Sequence, residues 1–388
     1  MTKKRWFLIA AAALAIVFFA QIRLGFVTAL FLWDLLDETT VAEPDRGALA
    51  WVTPSPSVKH VEVPQGERKI PADLYYVAGA GKRGAILLTH GIIETGKDDP
   101  RLVRFARSLA RAGFVVLVPE LKGMKSFRVL LSDVDDIVAS FQHMASLKEL
   151  VNEKRMGLMG FSYAAGPTIM AAADPAIRAQ VGFVVSFGGY YDPVNIIRFI
   201  TTGYYEYGYE RGFLQPEPYG KWVFFMNNVD YVESETDRQT LRQVFQQEAT
   251  QITDDVAPLL ASLTPKGRYL YELLINTDPH RVDDLVKETD PRFQDYLQKL
   301  SMAPLIPALR GYLIVGHGTT DPLIPYTESL RLANAVQDKS RVHLAILRLF
   351  GHVDPSKKRF AAMEFLTVYL PSMAEFYYLV YDLLNQQN

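Results

Sequence analysis

The sequence predicts an α/β fold: a mostly parallel sheet with helices on both faces, interrupted by a long insertion. Three observations carry that prediction. Short, continuous apolar runs at residues 85–89, 114–118, 156–159, 181–187 and 311–315 have the composition of strands buried on both faces. Between them lie stretches with helical spacing, such as Leu102, Phe105, Ala106 and Leu109 ahead of Gly113. This alternation stops near Asp192 and resumes after Ala308, so one parallel sheet is built from two parts of the chain.

The chain has 388 residues, of which 49% are hydrophobic and 22% charged, enough to bury a large core. A formal net charge of -2 offers no electrostatic footprint for nucleic acid. With no cysteine, disulfides, thiolate metal sites and a cysteine nucleophile are all ruled out.

At the amino end, Lys3, Lys4 and Arg5 precede an apolar run from Trp6 to Ala20. Gln21 and Arg23 interrupt it, and apolar residues resume from Leu24 to Trp33 before Asp34, Asp37 and Glu38. The first run is shorter than the roughly 20 residues of a full span, and Phe18 stands where a signal cleavage after Ala20 would want a small side chain. The expectation is an uncleaved signal anchor over residues 1–36, with a cleaved signal or a buried soluble helix as alternatives. Basic residues before the run and acidic ones after it place the amino end in the cytoplasm and the bulk of the chain outside.

Residues 37–57, with Pro44, Pro54 and Pro56, read as a linker. A first strand around 58–63 and a partner at 72–77 suggest a hairpin that opens the first part of the core, residues 58–192. The strand at 85–89 ends in His90-Gly91. Asp99-Pro100 starts a helix that Gly113 closes. A further strand (114–118) and helix (134–147) lead to the strand at 156–159. The insertion, residues 193–308, begins with a cluster of aromatics (Tyr204, Tyr205, Tyr207, Tyr209, Phe213, Tyr219, Trp222, Phe224, Phe225) and is then polar and helical. It reads as a mostly helical cap, its aromatics either lining a pocket or packing a small core of their own. The second part of the core, 309–388, holds a strand, the run Gly316 to Pro325, a helix at 326–336, a last strand at 342–349, and Phe350-Gly351-His352. The apolar stretch Phe376 to Leu384 is expected to pack on the sheet.

The chemistry-bearing stretch is Gly160-Phe-Ser162-Tyr-Ala164, the G-x-S-x-G pattern with alanine in its last position. Small residues are needed on both sides of the serine because the strand turns sharply into a helix and forces the serine backbone into a strained conformation. The helix that follows aims its N-terminus at the same place, so backbone N–H groups there can hold an oxyanion. Ser162, Asp321 and His352 all fall at the carboxyl ends of predicted strands, where open α/β sheets bind ligands.

With these residues the chain resembles the α/β-hydrolases over roughly 70–192 and 308–370. The resemblance rests on His90-Gly91 after an early strand, the elbow at Ser162, the Gly318-x-x-Asp321-x-x-x-Pro325 run and the final Gly351-His352. It implies Ser162 as nucleophile, His352 as base and then acid, and Asp321 as the carboxylate that orients the imidazole. By the same resemblance, the oxyanion donors would be the backbone N–H groups of Tyr163 and Ile92, the latter shifting to Ile93 if the loop differs by one residue. Asp192 and Asp354 compete for the acid's place. His90 reads as a structural hydrogen-bonder and His317 as a loop histidine. Asp98, Asp99, Asp133, Asp135 and Asp136 read as helix-start charges and solvated faces. Ala164 in place of a second glycine, and His-Gly-Ile-Ile-Glu in place of a glycine-rich loop, are departures from the family's pattern.

The expectation is therefore a membrane-anchored serine hydrolase acting on a carboxylic ester or related acyl bond, with an apolar small-molecule acyl substrate and no metal or cofactor. Thioesterase and peptidase chemistry stay open, as does transfer to an acceptor alcohol. The contrasting reading is a catalytically silent relative serving as an envelope binding or scaffold protein.

Overall fold

The structure, a computed structural model, describes residues 3–249, 256–348, 350–351 and 364–387. An eight-stranded sheet runs in the order β1-β2-β4-β3-β5-β6-β9-β10. Its strands are β1 (Ser57–Gln65), β2 (Arg68–Tyr76), β3 (Arg83–Thr89), β4 (Val115–Pro119), β5 (Val151–Phe161), β6 (Val181–Phe187), β9 (Tyr312–Gly318) and β10 (Val342–Leu347). The expected opening hairpin is present: β1 pairs antiparallel with β2, and β2 antiparallel with β4. From β4 to β10 every pairing is parallel, which places all the strand ends that carry candidate residues along one edge.

The principal helices are α1 (Lys3–Leu36), α2 (Pro100–Ala112), α3 (Ser132–Ser146), α4 (Ala165–Ala173), α5 (Pro193–Thr202), α6 (Pro218–Asn228), α7 (Thr327–Ala335) and α8 (Leu370–Asn385). The period of two along each strand divides the sheet's side chains between two faces. Ala85, Leu87, Val115, Leu117, Leu158, Val184 and Val315 point into a core closed by α3, α4 and α7 through Phe141, Ile169 and Leu332. Their neighbours Ile86, Leu88, Val116, Val118, Met159, Val185 and Ile314 point the other way, into a core closed by α1, α2 and α8 through Phe31, Leu109 and Leu383. The stretch Phe376–Leu384 packs on the sheet as its sequence suggests, with Phe376, Leu379, Val380, Leu383 and Leu384 all buried.

Helix α1 runs unbroken for 34 residues, about 51 Å at 1.5 Å per residue. Its stretch Phe18–Leu36 is long and apolar enough to cross a membrane. In this half, Leu24, Thr28, Phe31 and Leu32 are buried against the body, while Phe18, Ile22, Phe26 and Trp33 share the opposite, exposed stripe. The Tyr377 hydroxyl of α8 donates to the Gly25 carbonyl at 3.1 Å, and the Tyr381 hydroxyl donates to the Gln21 side chain. The first and last helices of the chain are thus neighbours.

Residues 37–57 are tied down along α2, so the expected linker is a bound strap. Arg104 donates to the carbonyls of Asp34 (3.3 Å) and Asp37 (3.2 Å), and Arg111 to those of Thr53 and Pro54 (both 3.1 Å). Asp45 receives both Arg107 and Arg111, at 2.7 and 2.6 Å. Two charges expected on solvated faces are also buried. Asp136 pairs with Arg68, and Asp133 accepts the Gly123 N–H at 3.1 Å, burial pushing its carboxyl up to about 6.

The insertion is mostly helical and has a core of its own around Phe225, Val244, Phe245, Leu273 and Phe293. Its aromatic opening is the exception. Residues Tyr204–Tyr207 (β7) and Glu210–Phe213 (β8) form an antiparallel hairpin, turned at Gly208 with φ 62°.

Candidate functional site

Strand β5 delivers Ser162 to the carboxyl edge of the sheet, and a single 3₁₀ turn, Ser162–Ala164, leads straight into α4. Ser162 has φ 54°, a left-handed value that among the described non-glycine residues only Phe127 shares. Such a conformation is costly for a residue with a Cβ and persists only where the surroundings impose it. The turn is too tight for anything larger than glycine at 160: a Cβ there would lie 2.8 Å from Ala165 Cα and 2.9 Å from the Ala164 oxygen. The helix start is pinned in turn. Thr168 Oγ1 donates to the Ala164 carbonyl at 2.7 Å and contacts Thr89 Oγ1 at 2.8 Å, joining α4 to β3.

A mostly parallel sheet with a left-handed serine at the strand-to-helix corner of a central strand decides the architecture. This is the α/β-hydrolase fold. No protein-family model and no curated protein sequence matches the chain. Among solved structures, it is similar to the acylaminoacyl peptidase of Pyrococcus horikoshii (12% identity, TM-score 0.46, covering 86% of this chain and 42% of that one). It is also similar to a 2,6-dihydroxy-pseudo-oxynicotine hydrolase (12%, 0.46, 85% and 68%) and to a dienelactone hydrolase of Anabaena variabilis (15%, 0.42, 84% and 98%). The chain thus spans less than half the length of the peptidase.

The His90-Gly91 turn at the end of β3 lies beside the elbow. A Cβ on Gly91 would sit 3.7 Å from the Phe161 oxygen and 3.8 Å from Ser162 Cβ. Of the two residues expected to supply oxyanion donors, Tyr163 follows Ser162 in the chain and Ile92 follows Gly91, and both line the cavity at Ser162. His90 is structural, as its sequence context suggests. Its Nδ1–H donates to the Gly91 carbonyl at 2.8 Å and its Nε2 accepts the Leu121 N–H at 2.9 Å. Burial lowers its pKa, so the ring is held neutral.

Asp321 is buried in the loop after β9. Its Oδ1 accepts the N–H groups of Leu323 (2.8 Å) and Ile324 (2.9 Å), and its Oδ2 lies 3.3 Å from His317 Nε2. His317 corrects its expected place in a loop. It sits in β9, fully buried, with Nε2–H directed at the Ile324 carbonyl (2.9 Å) and Nδ1 accepting from Ser329 (2.6 Å). The spacing of His317 from Asp321 in sequence hinted at contact. Its partner Ser329 lies on α7, beyond the reach of a local pattern. Asp192 caps α5 through the Val194 N–H at 2.8 Å and is a helix-start residue.

His352, like Asp354, lies outside the described residues. The two residues before it are described, and they are held against the Asp321 loop. Thr319 N–H donates to the Leu347 carbonyl and Thr320 Oγ1 to the Phe350 carbonyl, both at 3.1 Å. A Cβ on Gly318 would strike the carbonyls of Phe350 and Gly351.

Ser162 opens on a cavity of about 360 Å³, also lined by Ile92, Tyr163, Phe187 and Phe350. Among the described residues the cap contributes Gly220, Phe224 and Asn228 to its wall; much of the remainder comes from the sheet, α2 and α8. The sequence did not single out the Tyr163 side chain. Its hydroxyl is buried without a hydrogen-bond partner among the described residues, and burial together with the Asp321 carboxylate raises its pKa well above the ordinary phenol value. Among the described residues no group of three or more His, Asp and Glu is placed to hold a metal.

Proposed function

We propose that the chain is a serine hydrolase that cleaves a carboxylic ester or a related acyl bond through an acyl-enzyme on Ser162. The observation that carries this reading is the left-handed backbone of Ser162 at a corner too tight for a Cβ at 160, beside a cavity of ligand size. A strained serine at such a corner has its hydroxyl presented for attack.

In this mechanism Ser162 Oγ adds to the substrate carbonyl while His352 takes its proton. Asp321 steadies the resulting imidazolium, and the N–H groups of Tyr163 and Ile92 receive the oxyanion. Collapse of the tetrahedral intermediate expels the alcohol, protonated by His352, and leaves the acyl group on Ser162. Water, deprotonated by His352, then releases the acid. The tether of Phe350 and Gly351 to the Asp321 loop supports His352 as the base, since it brings the chain to the acid one residue before the histidine. Helix α1 would anchor the enzyme in a membrane with its body on the extracytoplasmic side.

Fluorophosphonate labelling of the full chain tests the proposal. The wild type is expected to label, and Ser162→Ala and His352→Ala are not. Esterase activity in Ser162→Ala should fall on the order of a million-fold. A folded wild type that takes no label would sink the hydrolase reading in favour of a binding or scaffold role.

A further inference from the structure

The cavity at Ser162 extends well below the reacting hydroxyl. It passes along the second face of the sheet, over Met159 of β5, Val185 of β6 and Ile314 of β9, which are partners in register across three strands. Three residues of strand separate Ser162 from Met159, so the space reaches about 10 Å inward at 3.3 Å per residue. Leu379 and Leu383, one turn apart on α8, form the opposite wall, and Leu35 of α1 also borders the space.

Protein interiors are packed about as tightly as organic crystals, and a gap among aliphatic side chains forfeits the contacts that would fill it. A cavity walled mainly by apolar side chains favours an apolar guest. Most of the described residues that line the space are aliphatic or aromatic; of its charged members on and at the start of α2, Arg104 donates to the carbonyls of Asp34 and Asp37, and Asp99 accepts the N–H groups of Arg101 and Leu102. A flexible hydrocarbon tail attached to a reacting carbonyl matches that lining.

We propose that this space under the sheet holds the acyl chain, and that the substrate is a long-chain acyl ester. The inference rests on the serine-hydrolase reading and adds the substrate class.

The test compares kcat/KM of the full chain, in detergent, on p-nitrophenyl butyrate, octanoate and palmitate. The wild type should prefer the longer chains. Leu379→Phe, which fills the space, should lower the palmitate-to-butyrate ratio about tenfold. Leu332→Met, on the other face of the sheet, should leave the ratio where it is. A labelled wild type whose kcat/KM falls steadily from butyrate to palmitate overturns the proposal, as does a labelled Leu379→Phe with an unchanged ratio. A second measurement does not need turnover: palmitate should raise the melting temperature of Ser162→Ala but not of Ser162→Ala/Leu379→Phe, and equal shifts, or none, overturn the proposal. A wild type that takes no fluorophosphonate but is stabilised by palmitate would fail as a hydrolase while keeping the chain-binding site. Offering the palmitoyl group also as monoacylglycerol in phosphatidylcholine vesicles identifies the source: hydrolysis there points to membrane lipid, and hydrolysis of the dispersed ester alone points to a soluble ester.

Discussion

The two faces of the sheet are built from the same strands, and they differ in what covers them. On the first face, α3, α4 and α7 each lie next in sequence to strands of the sheet, and two of them stand beside residues proposed to be catalytic. Helix α4 follows Ser162 directly, and α7 begins six residues after Asp321. The second face is covered by α2 and by the chain's two ends, α1 and α8, whose Gly25 and Tyr377 are hydrogen-bonded to each other. The space below Ser162 lies on this second side. The difference teaches a division of labour: the helices beside Ser162 and Asp321 both lie between neighbouring strands in sequence, whereas the second face and the space on it are closed by α2 together with helices from far apart in the chain.

Substitutions should follow that division. Asp321→Asn, on the first side, is expected to lower kcat about ten-thousand-fold. The loss should be the same for butyryl and palmitoyl esters. A loss that depended on chain length would erase the contrast between the faces.

Stability offers the next test. Phe31 on α1 and Phe141 on α3 are both fully buried, one on each face. Replacing either by alanine should cost about 3–5 kcal/mol in urea unfolding of the full chain. A cost below about 1 kcal/mol for Phe31→Ala would make α1 a tether resting on the body, and not a layer of its core.

The smallest expected effect concerns Glu328 of α7. Its carboxylate accepts the N–H groups of Tyr191 (3.0 Å) and Asp192 (2.7 Å) and the Asn195 amide (3.0 Å), fastening the start of the cap to the first face. Burial pushes its carboxyl from 4.5 up to about 7. The folded state therefore holds this proton more tightly than the unfolded chain does. The contribution is full below the unfolded value and is lost as pH rises through the folded one. Between pH 5 and 8 the wild type should lose on the order of 2–3 kcal/mol more than Glu328→Gln, read from urea midpoints. Parallel pH profiles would mean that Glu328 is ionised in the fold throughout that range.

Much of the fold was legible because its signals are local. A strand buried on both faces must be apolar throughout, and the five runs that met that condition are strands. The elbow was legible for the same reason, since Gly160 and Ala164 answer a steric demand made within five residues. His317 was misplaced because its partner Ser329 comes from α7 and its burial comes from the closed sheet. The strap over residues 37–57 looked like a linker because prolines and charges mark linkers; the arginines that bind it lie on α2, about 60 residues on. Tyr204–Phe213 has no strand signal stronger than alternation over four residues, and the hairpin there is completed by packing of Tyr205 on Phe199 and Tyr326.

The sequence by itself determined the α/β alternation, the insertion, the apolar N-terminal helix and the corner at Ser162. Each is encoded by neighbours along the chain, through side-chain period, glycine and alanine at a tight turn, and uninterrupted apolar length. Only the tertiary structure decided that the two ends of the chain close one face of the sheet together, and that they leave a space there leading to the serine. A space is a property of what surrounds it, and here its walls come from residues more than 300 positions apart, Leu35 and Leu379.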